Sequence, residues 1–296
     1  MSANSITPAY RHVIVNLPLF QPIPGVEIYP AFLNNGGAMA RIFSFCNQKG
    51  GVGKSTSASN LAVFLCALGK RVLLVDLDPQ ANTTSGIGLN PRKLDKDIYH
   101  ALIGDIEGKA IIKKTAILAL DIMPSSPSLA GATIEMVDMR HREYKLKEIL
   151  EPLRRNYDYI IIDSPPTLGL LTLNALTAAQ NVIIPVQCEY YALEGLADLL
   201  HTIQLVNANL KVRVGVFGAL LTMYDRKSRL HRAVAKEIHR KFPGYVFDTV
   251  IPRNVKLAEA PSFGKTILQY APYSHGAKAY RQLAEEIIRI EEGRKL

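Results

Sequence analysis

The feature that most constrains the fold is a glycine-rich stretch, Lys49–Thr56, which reads Lys-Gly-Gly-Val-Gly-Lys-Ser-Thr. It follows a short apolar run at 42–45 and precedes an amphipathic run at 61–68. A strand, a glycine-rich turn and a helix in succession form the context that a phosphate-binding loop requires. The glycines let successive backbone N–H groups turn towards an anion, and the helix adds the positive end of its dipole. The stretch therefore predicts a nucleoside-phosphate site.

The loop contains two lysines, and we expect them to have different roles. We expect Lys54 to reach the β- and γ-phosphates as a point charge, and the Ser55 hydroxyl to ligate Mg²⁺. The remaining residues of the loop are expected to surround the phosphates: Gly50, Gly51, Val52, Gly53 and Thr56. The second lysine, Lys49, precedes the glycines and would point out of the mouth of the loop. Its position indicates a phosphate that approaches from another direction.

Apolar runs recur along the chain and predict the strands of a sheet. They lie at 71–76, 121–124, 159–163, 182–186, 212–221 and 245–251. Runs that are apolar on both faces are typical of strands buried between two helix layers in a mostly parallel sheet. Helices are predicted at 54–69, at 128–155 in two pieces, and at 169–180, 192–209, 228–242 and 276–292. The expected fold class is α/β, a single doubly wound, mostly parallel sheet flanked by helices.

The first 38 residues differ from the rest of the chain. They hold five prolines and an Asn-Asn-Gly-Gly stretch, and we expect 1–38 to form a flexible N-terminal extension. The codons for Gly36-Gly37-Ala38 can contain a ribosome-binding sequence, so Met39 is a candidate for the natural start of translation. Residues 39–296 are then expected to form the one folded domain.

Composition narrows the class of protein. No apolar run approaches the ~20 residues of a membrane span. The three cysteines are scattered and form no Cys-x-x-Cys pair, which indicates neither disulfides nor a metal site and fits a reducing cytoplasm. A net charge of +9 favours a polyanionic partner, either nucleic acid or an anionic membrane surface. A solvated basic surface is the alternative, which composition alone leaves open.

Carboxylates end two of the predicted strands, at the edge where parallel sheets bind ligands. Asp163 ends a strand downstream of the glycine-rich loop, the position that holds Mg²⁺ through water in phosphoryl-transfer proteins. Asp76 and Asp78 end the strand that follows the first helix. We interpret Asp76 as a support for Mg²⁺ and its waters, and Asp78 as the residue that orients an attacking water. A helix cap or a turn is the alternative role for an aspartate at such a position.

These motifs closely resemble the nucleotide motifs of the ParA/Soj branch of the deviant Walker ATPases, the P-loop NTPases that include MinD. The matching stretches are 49–56, Val-Asp-Leu-Asp-Pro-Gln at 75–80, Ile-Ile-Asp-Ser-Pro-Pro-Thr-Leu-Gly at 161–169, and a fourth stretch at 250–262. The resemblance covers about 40–292. It implies that Lys49 reaches across a dimer to the partner's phosphates, that Asp78 is catalytic and that Asp163 is the Walker B aspartate. It also makes Pro252 and Asn254 candidate contacts of the adenine base.

The resemblance further implies a function. Family members use ATP and Mg²⁺ to form homodimers that bind DNA nonspecifically, and they partition plasmids or chromosome origins. A ParB-type centromere-binding protein stimulates their slow ATP hydrolysis and releases them. By this resemblance, 39–296 is a ParA-type ATPase domain of a cytoplasmic, nucleoid-associated protein with no stable membrane association.

The predicted helix at 228–242 supports a DNA-binding surface. At 100° per residue, its cations and its apolar side chains fall on opposite faces. The cations are Arg229, Arg232, Lys236 and Arg240, with Arg226 and Lys227 just before the helix; the apolar residues are Leu230, Val234, Ile238 and Phe242. An ordinary solvated face is the alternative for such a stripe. No carboxylate is expected to compensate these cations, and together with the net charge of +9 and the family resemblance this leads us to interpret the stripe as a phosphate-binding surface.

Three alternatives stay open at this point. A MinD-like membrane-cycling or protein-cluster-positioning ATPase would need a C-terminal amphipathic helix with a basic polar face, whereas 283–292 is rich in glutamate. A nitrogenase iron-protein type of carrier would need cysteines that bridge a dimer, but Ser164 follows Asp163. A scaffold that uses nucleotide only structurally would need neither Lys49 nor Asp78. The sequence also leaves the cargo open, whether plasmid, chromosome or protein cluster.

Overall fold

A computed structural model describes residues 39–189 and 191–293, so the predicted extension at 1–38 lies outside the described residues. The strands are β1 (Arg41–Phe45), β2 (Val72–Asp76), β3 (Lys113–Lys114), β4 (Leu120–Met123), β5 (Tyr159–Asp163), β6 (Asn181–Gln187) and β7 (Gly215–Thr222). The helices are α1 (Lys54–Ala67), α2 (Asn82–Gly86), α3 (Ile98–Leu102), α4 (Leu129–Glu135), α5 (Lys145–Leu150), α6 (Leu170–Ala178), α7 (Ala192–Leu210), α8 (Arg229–Lys241), α9 (Val255–Glu259), α10 (Ile267–Tyr270) and α11 (His275–Glu291).

The strands form one sheet in the order β3-β4-β2-β5-β1-β6-β7. Every neighbouring pair is parallel except β3 and β4. The order reverses around β1, so the helices cover both faces of the sheet, and the predicted doubly wound α/β fold is confirmed. In the registers, Asp163 at the end of β5 lies opposite Asp76 on one side and Phe45 on the other. The carboxyl ends of three central strands therefore meet at one place.

The core consists of two apolar layers, one on each face of the sheet. Ile160 and Ile162 of β5 face the layer that contains α3 to α8, whereas Ile161 faces the layer that contains α1 and α11. All three are fully buried. Successive side chains of a strand point to opposite faces, and a strand covered on both sides must be apolar at every position. This is why the run at 159–163 shows no alternation.

The predicted strand at 245–251 is wrong. This segment forms no continuous strand, and it bonds to β7 at two separate places. One is an isolated parallel bridge between Val246 and Ala219, and the other is the Ile251 N–H, which donates to the Leu221 carbonyl at 2.9 Å. Between them, the N–H groups of Asp248 and Thr249 donate to the buried carboxylate of Glu286 on α11, at 2.8 and 3.0 Å. The Glu286 side chain has taken hydrogen bonds that a strand would have given to its neighbour, and the ladder is interrupted there.

The region 128–155, predicted as two helices, consists of shorter elements than expected. It holds the short helices α4 and α5, with 3₁₀ turns at 136–138, 142–144 and 151–156. The chain turns between them at His141, whose φ of 54° lies in the left-handed region that ends helices. The short helices α2, α3, α9 and α10 and the strand β3 were not predicted, because elements of two to five residues carry too little periodicity.

Candidate nucleotide site

The glycine-rich loop leaves β1 and leads directly into α1, as the sequence predicts. Gly51 and Gly53 have φ values of 75° and 90°, a conformation in which any other residue would be strained. At Gly50 and Gly51, both of which line the cavity described below, an added Cβ would meet nothing within 4 Å, so the space beside these glycines is open. Helix α1 has 14 residues and begins after Gly53 without a side-chain cap in the described structure. Its first N–H groups are therefore free to bind an anion.

A cavity of about 540 Å³ opens over this loop. Among the predicted residues, Gly50, Gly51, Gly53, Lys54, Ser55, Thr56 and Asp78 line it. Val52 is buried instead, with its carbonyl oxygen accepting a hydrogen bond from the Thr222 hydroxyl at 2.8 Å. Thr222 is the last residue of β7, and the loop is thereby fastened to the edge strand of the sheet.

Lys54 lies at the base of the cavity and is only 6% exposed. Its ammonium donates to the backbone carbonyl oxygen of Lys49 at 3.3 Å, which closes the loop on itself. Burial lowers the pKa of Lys54, while the negative charges of Asp163 and Asp78 oppose this. A cation held beside two carboxylates in a buried site is well placed to bind phosphate oxygens.

Asp163 is fully buried at the end of β5 and has an incomplete set of partners. Thr83 donates its hydroxyl hydrogen to Asp163 Oδ2 at 2.8 Å. The other oxygen, Oδ1, is buried and has no hydrogen-bond partner among the described residues. Burial raises the pKa of Asp163, and the hydroxyls of Ser55 and Thr83 oppose the rise. A bare carboxylate oxygen beside a serine hydroxyl is the donor set that Mg²⁺ and its waters require, so these residues fit that ion.

Asp76 and Asp78 diverge, as expected once β2 ends. The Asp76 carboxylate is buried and accepts from the Thr84 N–H and hydroxyl, at 2.8 and 2.7 Å, and from the Asp78 N–H at 3.2 Å. Burial and the charge of Asp163 raise the pKa of Asp76. Asp78 lines the cavity and caps the turn at Gln80 through a 2.9 Å bond. Asp76 thus holds the loop that carries Asp78 in place. The sequence did not predict these hydrogen bonds of the Asp76 carboxylate.

Lys49 does not line the cavity. Its ammonium forms an ion pair with Glu189, which follows β6, at 2.5 Å. The Lys49 side chain is 48% exposed and lies at the surface around the mouth of the loop. This agrees with the predicted outward direction, but no sequence signal pointed to Glu189, which is 140 residues away.

The two predicted adenine contacts lie beside the cavity rather than among the residues that line it. Asn254 caps α9, because its side chain accepts from the Lys256 N–H at 2.8 Å. Pro252 forms an isolated bridge with Tyr224. Their role as base contacts stays a prediction. The residues that come next in the sequence do line the cavity, although they were not predicted to do so: Leu257, Ala260, Pro261, Ser262, Lys265 and Thr266.

Other lining residues also escaped prediction. They come from α1 and from the loop around α2, and include Ser59, Asn60, Gln80, Asn82, Ser85 and Gly86. Asn60 carries a usable signal, a polar residue inside an otherwise apolar helix. It is buried, and its side chain joins the Thr56 carbonyl at 2.8 Å to the Ile267 N–H at 2.9 Å. The asparagine therefore ties α1 to α10 on the far side of the cavity.

Helix α8 has the predicted division into a cationic and an apolar face. Arg229, Arg232, Lys236 and Arg240 are exposed, as are Arg226 and Lys227 ahead of the helix. Val234, Ile238 and Phe242 are buried against the body. The expectation that no carboxylate compensates the cations is wrong for Arg240, which pairs with Glu237 at 2.7 Å. Glu237 lies one turn before Arg240 at the margin of the stripe.

The sheet order, the loop and the aspartates at the strand ends define a P-loop nucleotide-binding protein. A family model described as an AAA domain matches residues 40–216. The chain is 51% identical over 249 residues to the sporulation initiation inhibitor protein Soj of Bacillus subtilis, covering 84% of this chain and 98% of that protein. It is 47% identical over 251 residues to the chromosome partitioning protein ParA of Myxococcus xanthus, covering 85% of this chain and 89% of that protein.

Solved structures agree with this class. Cobyrinic acid a,c-diamide synthase from Mycobacterium smegmatis, with bound ATP analog and magnesium, superposes with a TM-score of 0.76 at 36% identity, covering 87% of this chain and 98% of that chain. The sequence identity to Soj, 51% over 98% of that protein, is higher than the 36% identity to this synthase. The chain belongs to the ParA/Soj family of ATPases, and the resemblance seen in the motifs is confirmed.

Proposed function

We propose that this protein is a DNA-partitioning ATPase whose attachment to DNA is timed by ATP binding and hydrolysis. The observation that carries the proposal is the combination of an open phosphate-binding loop with the exposed cationic face of α8. The names of the relatives, a chromosome partitioning protein among them, support the same role. The proposal places the protein in the cytoplasm, associated with the nucleoid.

The loop and the aspartates at the strand ends have distinct roles in this proposal. Lys54 and the N–H groups of the loop bind the phosphates, and Ser55 and Asp163 hold Mg²⁺, Asp163 through water. The metal, when bound, neutralises charge that develops on the phosphates during transfer. Asp78 orients the attacking water from the loop that Asp76 and Thr84 fix in place. Two features support this assignment: the bare Oδ1 of Asp163 and the position of Asp78 on the cavity wall.

The proposal includes an ATP-dependent homodimer. Lys49 lies at the surface, is paired with Glu189 and is not among the residues that line the cavity of its own loop, as expected of a residue that serves a neighbouring site. Two chains then close face to face with the nucleotides between them. Lys49 of one chain stabilises charge on the partner's phosphates, by the logic of an arginine finger. Hydrolysis removes the γ-phosphate that holds the dimer together.

DNA binding in this proposal is nonspecific and depends on the dimer. The four cations of α8, with Arg226 and Lys227, contact backbone phosphates, which carry no sequence information. Two α8 helices in one dimer double the number of contacts, so dimerisation strengthens binding more than proportionally. Turnover is slow until a ParB-type partner stimulates it, because a switch must dwell in its DNA-bound state.

A membrane-cycling role is less well supported. The isoleucines at the C-terminal end are not free for a bilayer, because Ile287 and Ile290 of α11 are buried with Leu283 in the layer beneath α1. Of the helices in the described ranges, none has the length and apolar character needed to cross a membrane. The iron-protein alternative is also weak, because all three cysteines, Cys46, Cys66 and Cys188, are buried.

The DNA assignment is tested by reversing two charges on α8. Arg229→Glu with Arg232→Glu is expected to weaken DNA binding in ATP and Mg²⁺ on the order of 100-fold, because repulsion replaces attraction at two phosphates. The matched control is Lys93→Glu with Lys109→Glu, which changes the net charge equally at two exposed positions outside α8. ATP binding should be kept in both. Equal DNA affinities of the two double variants in a low-salt shift assay would overturn the assignment.

A further inference from the structure

The ion pair between Lys49 and Glu189 has no role in the chemistry described so far. The two residues follow β1 and β6, which are adjacent parallel strands paired at Phe45 and Ile183. Their charged atoms lie 2.5 Å apart, and both side chains are about half exposed, at 48% and 42%. Because they stand at the carboxyl ends of neighbouring strands, the fold itself brings them together at the mouth of the loop.

The backbone around Lys49 is held as well as its side chain. Asn47 accepts the Lys49 N–H at 2.9 Å and donates its amide to the Pro185 carbonyl of β6 at 2.7 Å. The Lys54 ammonium occupies the Lys49 carbonyl oxygen at 3.3 Å. Both lysines of the loop are therefore engaged by groups of their own chain.

We propose that Glu189 is a positioning residue that holds Lys49 in a waiting position until a second chain presents its nucleotide. The proposal rests on the dimer described under the proposed function. Glu189 keeps the ammonium directed away from the cavity of its own chain, where Lys54 already serves the phosphates. When the dimer closes, the partner's triphosphate competes with one carboxylate for Lys49, and its larger charge displaces Glu189.

The exposure of the pair sets the size of the effect. Half-exposed ion pairs are weak, so the closed form is favoured only a few-fold over the separated form. If Lys49 is available in only a fraction of the molecules, the apparent affinity of the dimer falls by that fraction. Removing the Glu189 charge should accordingly strengthen ATP-dependent dimerisation about two- to fivefold.

The experiment measures the dimer dissociation constant in ATP and Mg²⁺ by analytical ultracentrifugation. An Asp78→Ala background prevents hydrolysis from dissolving the dimer. Glu189→Gln is compared there with Glu194→Gln, which changes an exposed carboxylate on the first turn of α7. We expect tighter dimerisation for Glu189→Gln alone. The difference should vanish in a Lys49→Ala background and shrink near 1 M salt, where the Debye length is about 3 Å.

Each other result overturns the proposal. An unchanged dissociation constant in Glu189→Gln would make the ion pair incidental, and a weaker dimer would make Glu189 a direct contact of the partner. A gain that persists in the Lys49→Ala background would mean that Glu189 does not act through Lys49. If the Asp78→Ala protein stays monomeric in ATP, the proposed function fails, and this inference fails with it.

Discussion

The Asp76 carboxylate is bound twice by Thr84, whose N–H and hydroxyl donate to the same oxygen at 2.8 and 2.7 Å. The Thr84 hydroxyl also accepts the Ser125 N–H at 2.9 Å. Through these bonds the end of β2 fixes the loop that carries Asp78 and the start of α2, which carries Thr83. The contact explains how a short loop and a five-residue helix hold these two residues of the site in place.

We expect Thr84→Val to lower the free energy of unfolding by about 1–3 kcal/mol, because it removes the donor to a buried carboxylate without changing the shape of the side chain. Urea unfolding measures the loss. Thr133→Val is the control, since that hydroxyl bonds only to the Ala130 carbonyl in a half-exposed helix. A loss no larger than that of Thr133→Val would show that Thr84 does not hold the loop.

Glu286 is expected to be the main attachment of the segment that follows α8. Its buried carboxylate accepts from the Tyr245 hydroxyl and from the N–H groups of Asp248 and Thr249. Glu286→Gln turns an amide N–H₂ towards these donors and should cost on the order of 2–3 kcal/mol of stability. The neighbouring Glu285, which pairs with Arg281 at the surface, supplies the control as Glu285→Gln. Similar unfolding midpoints for the two variants would contradict this reading.

Stability should also depend on pH through the buried aspartates. Burial raises the pKa of Asp163 to about 6, and burial with the charge of Asp163 raises the pKa of Asp76. Without nucleotide and Mg²⁺, the folded chain holds protons that the unfolded chain releases near pH 4. The free energy of unfolding should thus fall as pH rises from about 4 through these raised pKa values.

The contribution of Asp76 to the pH dependence of stability is obtained by comparing the unmutated chain with Asp76→Asn. Subtracting the unfolding free energies of Asp76→Asn from those of the unmutated chain, between pH 5 and 8, removes the effects of groups that do not interact with Asp76 and leaves those of Asp76 and of its neighbour Asp163. The difference should decline with pH, by at most about 1.4 kcal/mol per unit for one proton. A flat or rising difference would mean that Asp76 is charged in the folded state throughout this range.

The parts of the site that could be predicted are those whose residues lie close together in the sequence. The loop at 49–56, Asp163 and the two faces of α8 follow from local spacing. The structure places them as predicted, except that Val52 is buried and does not line the cavity and that Arg240 pairs with Glu237. The partners of Lys49 and Asp76 could not be predicted, since these contacts are set by strand order and loop closure. The error at 245–251 has the same origin, because Glu286, which interrupts the pairing there, lies on α11.

The central claim is that Lys49 completes a nucleotide site in a second chain. The most direct test is ATP hydrolysis by Lys49→Ala at saturating DNA, with binding of a fluorescent ATP analogue measured on the same sample. Because Lys49 lies outside its own cavity, we expect nucleotide binding within about threefold of the unmutated chain. Hydrolysis should fall at least about 100-fold, since an arginine finger, which stabilises the same charge in other phosphoryl-transfer proteins, contributes about 10³–10⁵ in rate. Full turnover in Lys49→Ala would contradict the account and make the loop an ordinary one.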